Sequence, residues 1–395
     1  MRALGGPALI IAACMSIAPV ADAQGPSRPA RTPRSASNSG RVADSVSGVL
    51  SRAMADGAFP GAVAVIGTRA GISVTRGVGQ LDSALPTLPD ARTLYDLASL
   101  TKIIATTTLM LHLVDQNRVE LDAPVVQYLP AWRGAGASAI TVRQLLSHSS
   151  GLAAWRPFYK EAVDKADARA QLMLVGSDAP PGTRFLYSDM NFMLLGMVIE
   201  QVTGLALDSA FQTIVARPLR MADTRFRPDT AQRARIAPTE FDPWRQRKLH
   251  GEVHDENASR FEGVSGHAGL FSTGDDLSRV ARMWMNGGVL DGVRIASGKT
   301  IAQFTRVQDT LISRRALGWE TPNGSNSAGR RLSPRAFGHT GFTGTSIWID
   351  PSRDLFIILL TNRVNPTREN RKIGGVRAAL ADAVSGAVDG ASPRR

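Results

Sequence analysis

Apolar residues first recur with the spacing of a helix. Val42, Val46, Val49, Leu50 and Ala53 share one stripe, which Gly57 and Pro60 end. Ala62-Val63-Ala64-Val65-Ile66 then gives a short continuous apolar run, predicting a buried strand, and Ile72 to Val78 supplies its hairpin partner. From Leu100 to about Asn286 most segments carry helical periodicity, joined by loops such as Pro180-Pro181-Gly182-Thr183. Strand character returns at Thr345 to Ile349 and Leu355 to Thr361. A last helix is expected over about Asn370 to Val388, with Ile373, Val376, Leu380 and Val384 on one face to pack on a sheet. This order predicts an α/β fold of the α+β kind. One antiparallel β-sheet is built from both chain ends and flanked by terminal helices, with a large helical lobe inserted. The expected domain spans residues 42–390, its α/β lobe taking about 42–98 plus 300–390 and its helical lobe about 99–299.

The chain's beginning departs from this pattern. Arg2 precedes an apolar stretch from Ala8 to Val20, and Ala21-Asp22-Ala23 offers a small-x-small cleavage site, so residues 1–23 read as a secretory signal peptide. Cys14, the sole cysteine, lies inside it. Ile11-Ala12-Ala13-Cys14 also fits a lipoprotein box, which would keep Cys14 as a lipid anchor. One cysteine excludes an internal disulfide, a cysteine-rich zinc module and an iron–sulfur cluster. Beyond the signal the longest apolar runs, Phe192 to Ile199 and Leu355 to Leu360, fall far short of the ~20 residues that span a bilayer. The expectation is an exported protein, periplasmic or extracellular, with residues 24–41 as a disordered linker rich in Pro, Ser and Arg.

The net charge of +12 changes the picture less than its size suggests. Arg28, Arg31, Arg34, Arg41, Arg394 and Arg395 carry half of it, leaving about +6 on residues 42–390. Arg225-Phe226-Arg227 and Arg245-Gln246-Arg247-Lys248 are short and mixed with acids, so the aromatic-interleaved stripe of a nucleic-acid binder is missing. The partner expected is a small-molecule or peptide substrate and no nucleic acid, with weak association of the basic linker with a membrane or cell-wall polymer.

Candidate chemistry begins at Ser99-Leu100-Thr101-Lys102. Residues three apart share a helical face, with Cβ atoms ~5–6 Å apart, so the lysine amine can reach the serine hydroxyl and take its proton. Apolar Leu94, Leu97 and Ala98 precede it, and Ile103, Ile104 and Leu109 follow. Burial and a helix N-terminus both disfavour an ammonium, so the lysine is expected to fall from ~10.4 toward a basic role. Tyr187-Ser188-Asp189 then precedes a helix, and His339-Thr340-Gly341 is read as lying directly before a strand.

Together and in this order, these resemble the three motifs of the serine β-lactamase and penicillin-binding protein superfamily. The likeness is greatest to its class C-like branch of D,D-peptidases, esterases and β-lactamases, and extends over nearly all of residues 42–390. It includes Ile140 to Leu152 and Gly266-His267-Ala268-Gly269-Leu270-Phe271-Ser272. The resemblance implies a β-lactamase/transpeptidase-like fold with no cofactor and no metal. It makes Ser99 the nucleophile, Lys102 its base or proton relay, and Tyr187 the second proton-transfer group. His339, Thr340, Gly341, Phe342 and Asp189 would line the substrate, with the Ser99 and Phe342 N–H groups forming the oxyanion hole. The substrates implied are D-alanyl cell-wall peptides or β-lactams. An esterase or transacylase with the same residues, and a penicillin-binding sensor that does not turn over, are the other two readings. The absence of any Gly-x-Ser-x-Gly elbow counts against an α/β-hydrolase.

Two positions depart from the family pattern. Asp189 stands where an asparagine amide is usual; ionised, it cannot donate, and near Lys102 it would favour the ammonium and shift the base role to Tyr187. Asn191 is the nearest amide able to replace the donor. His339 stands where lactamases mostly have lysine, and with an ordinary pKa of ~6.5 it is expected to hold a substrate carboxylate only when protonated. His250, Glu252, His254, Asp255, Glu256 and His267 offer metal-type ligands but match no established zinc spacing. Pocket lining and structural hydrogen bonding are their other readings, and His148 is expected to hold the turn at Ser149-Ser150-Gly151.

Overall fold

The computed structural model describes residues 34–390. The signal peptide, Cys14 and most of the expected linker lie outside the described residues. The first helix, α1, runs Arg34–Ala55, so residues 34–41 continue the helix instead of belonging to the linker, and Arg41 reaches Gly390 near the other end. Strands β1 (Gly61–Thr68) and β2 (Gly71–Gly79) follow as a hairpin, and β3 (Tyr95–Asp96) leads into the segment of Ser99 and Lys102. Helix α2 (Thr108–Asp115) continues a π-helical stretch, Lys102–Thr107. Helix α3 (Val142–Leu146) starts at a capping box of Thr141 with Gln144. Helix α4 (Asp189–Thr203) starts after Ser188 and ends at Gly204, whose φ of +71° suits a glycine C-cap. Short strands β4 (Arg225–Phe226) and β5 (Leu270–Ser272) precede α5 (Gly274–Met285); β6 (Phe337–Thr340), β7 (Ser346–Asp350), β8 (Leu355–Thr361) and α6 (Ile373–Asp389) close the chain.

The main sheet has the order β6-β7-β8-β1-β2, with every pair antiparallel. Val63 faces Leu360 across the junction of the two chain ends. The period-two alternation splits the burial: Ala62, Ala64, Ile66, Ile357 and Leu359 pack under α1 and α6, with Val46, Leu50, Leu380 and Val384. Val63, Val65, Ile358 and Leu360 face the other way and join one core with α2, α4 and α5. Each buried aliphatic side chain contributes about 1.5–3 kcal/mol, so the sheet is fastened from both faces. A second sheet, β3-β5-β4, lies at the root of the site. Among the described residues no single helix is long and apolar enough to cross a membrane.

Sequence reading placed His339 before a strand; it lies within β6, opposite Ile347. Phe337 anchors that edge strand in an edge-to-face cluster with Trp284 and Trp319, at centroid distances of 6.1 and 5.0 Å.

Candidate active site

Ser99 stands at a forced turn. Asp96, buried at the end of β3, accepts from the Ala98 N–H (2.8 Å) and the His254 N–H (2.6 Å). Burial pushes its carboxyl up, against the downward pull of these two bonds. Ala98 is held at φ +47°, a left-handed conformation that costs a non-glycine residue of the order of 1 kcal/mol and persists only where its surroundings impose it. The helix begins immediately afterwards, which aims the Ser99 side chain along its first turn.

The turn after β6 is tied to the same segment. Thr343 Oγ1 donates to Asp96 O (2.7 Å) and Thr345 Oγ1 to Leu97 O (3.1 Å). Gly341 is required here, because a Cβ would lie 2.1 Å from Thr345 Oγ1 and 2.4 Å from Leu97 O. Two arginines brace the turn from behind: Arg377 of α6 donates to Gly341 O (2.6 Å) and Thr345 O (2.9 Å), and Arg363 to Phe342 O (2.8 Å). Burial and the neighbouring Arg363 bring the Arg377 pKa down to about 10. The N–H groups of Ser99 and Phe342 have no acceptor among the described residues, so two donors beside the serine are available to an oxyanion.

Lys102 is fully buried, and its nitrogen has three acceptors: Ser99 Oγ (3.0 Å), His267 O (3.0 Å) and Asp189 Oδ1 (2.7 Å). Three N–H bonds to three acceptors describe an ammonium. Burial acts to lower its pKa, but the Asp189 carboxylate and then Tyr187 outweigh it, and the net shift is upward. The depressed lysine expected from the local motif alone is thus overturned, and the alternative raised for Asp189 applies: the carboxylate, 87 positions away, lies beside Lys102 and favours the ammonium. The His267 carbonyl reaches Lys102 because Gly266 permits a close approach to α4, where a Cβ would meet Phe192 O at 2.0 Å.

Tyr187 lies between several rings and charges. Its ring is 5.1 Å from the Lys102 nitrogen, 4.5 Å from the His148 ring and 5.9 Å from the His339 ring, with the Arg315 guanidinium at 5.3 Å. His148 holds this segment: its carbonyl accepts from the Leu186 N–H (3.0 Å) and its Nδ1 from the Ser188 N–H (3.1 Å). Asn191 is turned away and buried, accepting from Ser150 Oγ (2.6 Å) and lying 3.3 Å from His148 Nδ1, so it does not replace the missing amide.

His339 differs from expectation. It is 1% exposed, and its Nδ1 is 2.8 Å from Thr340 O, which makes Nδ1 the protonated nitrogen and leaves Nε2 a lone pair without a partner. Burial first, then Arg315 and Lys102, drive its pKa well below the ordinary value. The shift favours the neutral imidazole over the protonated carboxylate reader expected from the sequence. The lasting positive charge at this end belongs to Arg315, which pairs with Glu320 (2.9 Å) and keeps a buried Nη1 without a partner.

The remaining histidines go to separate partners. His250 Nε2 lies 2.8 and 2.9 Å from the Arg233 and Ile236 carbonyls, and His254 Nε2 is 2.7 Å from Glu240. His267 lies between Ser265 Oγ (2.8 Å) and Asp255 (3.0 Å), whose carboxyl is held well below the usual range, its burial outweighed by His267 and its hydrogen bonds. Asp189, Asp255 and His267 bring potential ligand atoms within 4.8 Å of one another, and Asp189 is already paired with the Lys102 ammonium.

The family model for beta-lactamase matches residues 46–382. A Bacillus subtilis protein named N-acetylmuramyl-L-alanine amidase is 36% identical over 309 residues, covering 70% of this chain and 70% of its own. A Salmonella agona protein provisionally named D-alanyl-D-alanine carboxypeptidase is 32% identical over 323 residues, covering 73% and 74%. Among solved structures, a penicillin-binding protein homologue from Caulobacter crescentus shares the fold at a TM-score of 0.71 and 22% identity, covering 88% of this chain and 97% of that one.

Proposed function

The chain belongs to the beta-lactamase family, and from that premise we propose that it is an exported serine hydrolase that cleaves amide bonds of cell-wall peptides through an acyl-Ser99 intermediate. One observation carries the proposal: Ser99 Oγ is held 3.0 Å from a buried lysine nitrogen, beside two N–H donors with no other acceptor. Acyl transfer needs this set of groups.

In this reading Lys102 is the charged holder of Ser99 and not the proton acceptor. Tyr187 acts as a relay: its phenol oxygen accepts the Ser99 hydroxyl proton while releasing its own O–H proton toward the leaving nitrogen, Oγ bonds to the substrate carbonyl carbon, and the Ser99 and Phe342 N–H groups receive the oxyanion. The released proton reaches the leaving nitrogen as the C–N bond breaks. Water then repeats the sequence: it gives a proton to Tyr187, its oxygen bonds to the acyl carbon, and Tyr187 passes its own proton to Ser99 Oγ. His339 supplies a neutral acceptor at Nε2, and Arg315 the charge that attracts a substrate carboxylate. Residues 1–23 would direct export, and the basic stretch before α1 would give weak contact with wall polymer or membrane.

A fluorescent penicillin followed by intact-mass measurement tests the proposal. A Ser99 adduct should form in the wild-type protein and be absent from Ser99→Ala, whose melting temperature should be nearly unchanged. Loss of hydrolysis in Ser99→Ala together with turnover confined to small neutral esters would move the assignment to an esterase; an adduct with no turnover of any substrate would make the protein a sensor. Hydrolysis that survives Ser99→Ala would overturn the serine mechanism.

A further inference from the structure

Three large aromatic side chains form a wall on the Asp189 side of the serine. Trp155, Tyr159 and Trp244 are linked ring to ring, at centroid distances of 6.3 and 5.0 Å and at angles of 51° and 77°. Trp155 is 47% exposed and Trp244 37%, an arrangement that no core packing requires. The wall is fixed to the site's own elements. Ala153 O and Ala154 O, just before Trp155, accept from Ser188 Oγ (2.6 Å) and the Asp189 N–H (2.9 Å). Asn257, two residues past Asp255, accepts from the Tyr159 N–H (3.0 Å) and donates to Arg156 O (2.8 Å). Arg245, next to Trp244, donates to Val253 O and His254 O, both at 2.7 Å, and His254 stacks on Phe342 at 5.6 Å. One end of the wall thus meets the second motif and the other reaches the oxyanion turn.

We infer that this wall is a subsite for a sugar ring, so that the substrate is a peptide still joined to an N-acetylmuramyl group. This rests on the serine-hydrolase reading of the same site. A pyranose presents weakly electropositive C–H bonds on its face, and these match the electron-rich face of an indole or phenol ring; its hydroxyl and acetamido groups remain free for polar partners at the rim. Lys160 supplies one: its ammonium lies 5.5 Å from the Tyr159 ring centroid. Arg245 and Arg260, 5.6 and 5.5 Å from the Trp244 ring, hold that ring in place before ligand arrives, which lowers the ordering cost of binding. The relative named for cleaving N-acetylmuramyl from L-alanine has the matching substrate, with a sugar-bearing acyl group on one side of the scissile amide. A purely peptidic or lactam substrate would leave the exposed Trp155 indole without use.

The test compares N-acetylmuramyl-L-alanyl-D-isoglutamine with its sugar-free analogue lactoyl-L-alanyl-D-isoglutamine, in the wild-type protein, Trp155→Ala and Trp244→Phe. The wild-type kcat/KM ratio should favour the sugar by at least tenfold, Trp155→Ala should erase most of that ratio, and Trp244→Phe, which keeps an aromatic face, should retain most of it. Binding of N-acetylmuramic acid to Ser99→Ala, read by quenching of tryptophan fluorescence, should weaken by about tenfold when Trp155→Ala is added. This arm needs no turnover, so it separates the fate of the subsite from that of the serine mechanism. A wild-type ratio near one, or a Trp155→Ala loss equal for both substrates, would overturn the subsite even if acyl-Ser99 forms normally.

Discussion

Asp189→Asn is the perturbation that most directly probes how the site holds its charge. The carboxylate lies 2.7 Å from the Lys102 nitrogen, with side-chain exposures of 20% and 0%. Removing one partner of a buried pair costs about 3–5 kcal/mol when the other keeps its charge; the partial exposure of Asp189 argues for the lower end, about 3 kcal/mol. For a domain of this size that is a fall in melting temperature of about 4 °C at pH 6. Lysine can escape the cost by losing its proton, since burial, the largest influence on it, is then opposed chiefly by Tyr187. The pH dependence follows by linkage. In the wild-type protein the folded Lys102 pKa lies above the unfolded value of ~10.4, so its contribution is complete below that pH and is lost only as pH rises through the folded value. In the variant the folded pKa lies below the unfolded one, so the deficit is greatest at low pH and shrinks as pH rises. The assay is the difference in melting temperature between the two proteins from pH 6 to 9, which cancels titrations common to both. Kinetics supply a second reading. Tyr187→Phe should reduce acylation by about 10²–10⁴ in the wild-type background and at least tenfold less in Asp189→Asn, where a neutral lysine can share the proton transfer. A constant offset across pH, with equal Tyr187→Phe losses in both backgrounds, would refute the assignment of Lys102 as an ammonium held by Asp189.

Other measurements bear on the neighbouring groups. KM for a D-alanyl peptide should stay within about twofold from pH 6 to 8, because the neutral form of His339 is favoured; a tenfold rise would restore a titrating histidine as the carboxylate reader. His148 and His339 are both driven well below the ordinary value by burial, so the unfolded chain binds more protons below pH ~6.5, and stability should fall from pH 7 to 5. His339→Gln should flatten part of that slope in thermal unfolding. Arg315→Gln should raise KM for carboxylate-bearing substrates about tenfold while altering KM for a neutral ester little; equal changes would remove Arg315 from substrate recognition. Gly341→Ala must move Thr345 or the Leu97 carbonyl, and should reduce acylation by at least a hundredfold with about 1–3 kcal/mol of destabilisation in urea titrations.

What the sequence disclosed follows the range of the forces involved. Strand β1 was legible because Ala62 to Ile66 is apolar on both faces, and α6 because its stripe is regular. Strand β6 was not, since four residues containing Gly338 carry no periodicity; β7 and the Trp284–Trp319 cluster make it a strand. Ser99 and Lys102 could be paired by spacing alone, but the charge of the lysine depends on Asp189, and the neutrality of His339 on burial and Arg315. Thr343, Thr345, Arg363 and Arg377 were missed altogether. Their contacts span the chain, Thr345 to Leu97 across 248 positions, and a single sequence holds no local signal for them.

The pairing of β1 with β8 has a consequence for synthesis. A ribosome makes β1, β2 and the Ser99 helix early, yet β1 must wait for a neighbour encoded nearly 300 residues later, Val63 opposite Leu360. Until then one edge of the β1–β2 hairpin is unpaired and its apolar faces lack α6, a state that invites association with other nascent chains. Such long sequence separations also slow folding. A protein ordered this way cannot mature in step with its own translation: Ser99 is made in the first third of the chain, and its surroundings are complete only when the last strands and the arginine of the final helix arrive to build the turn beside it.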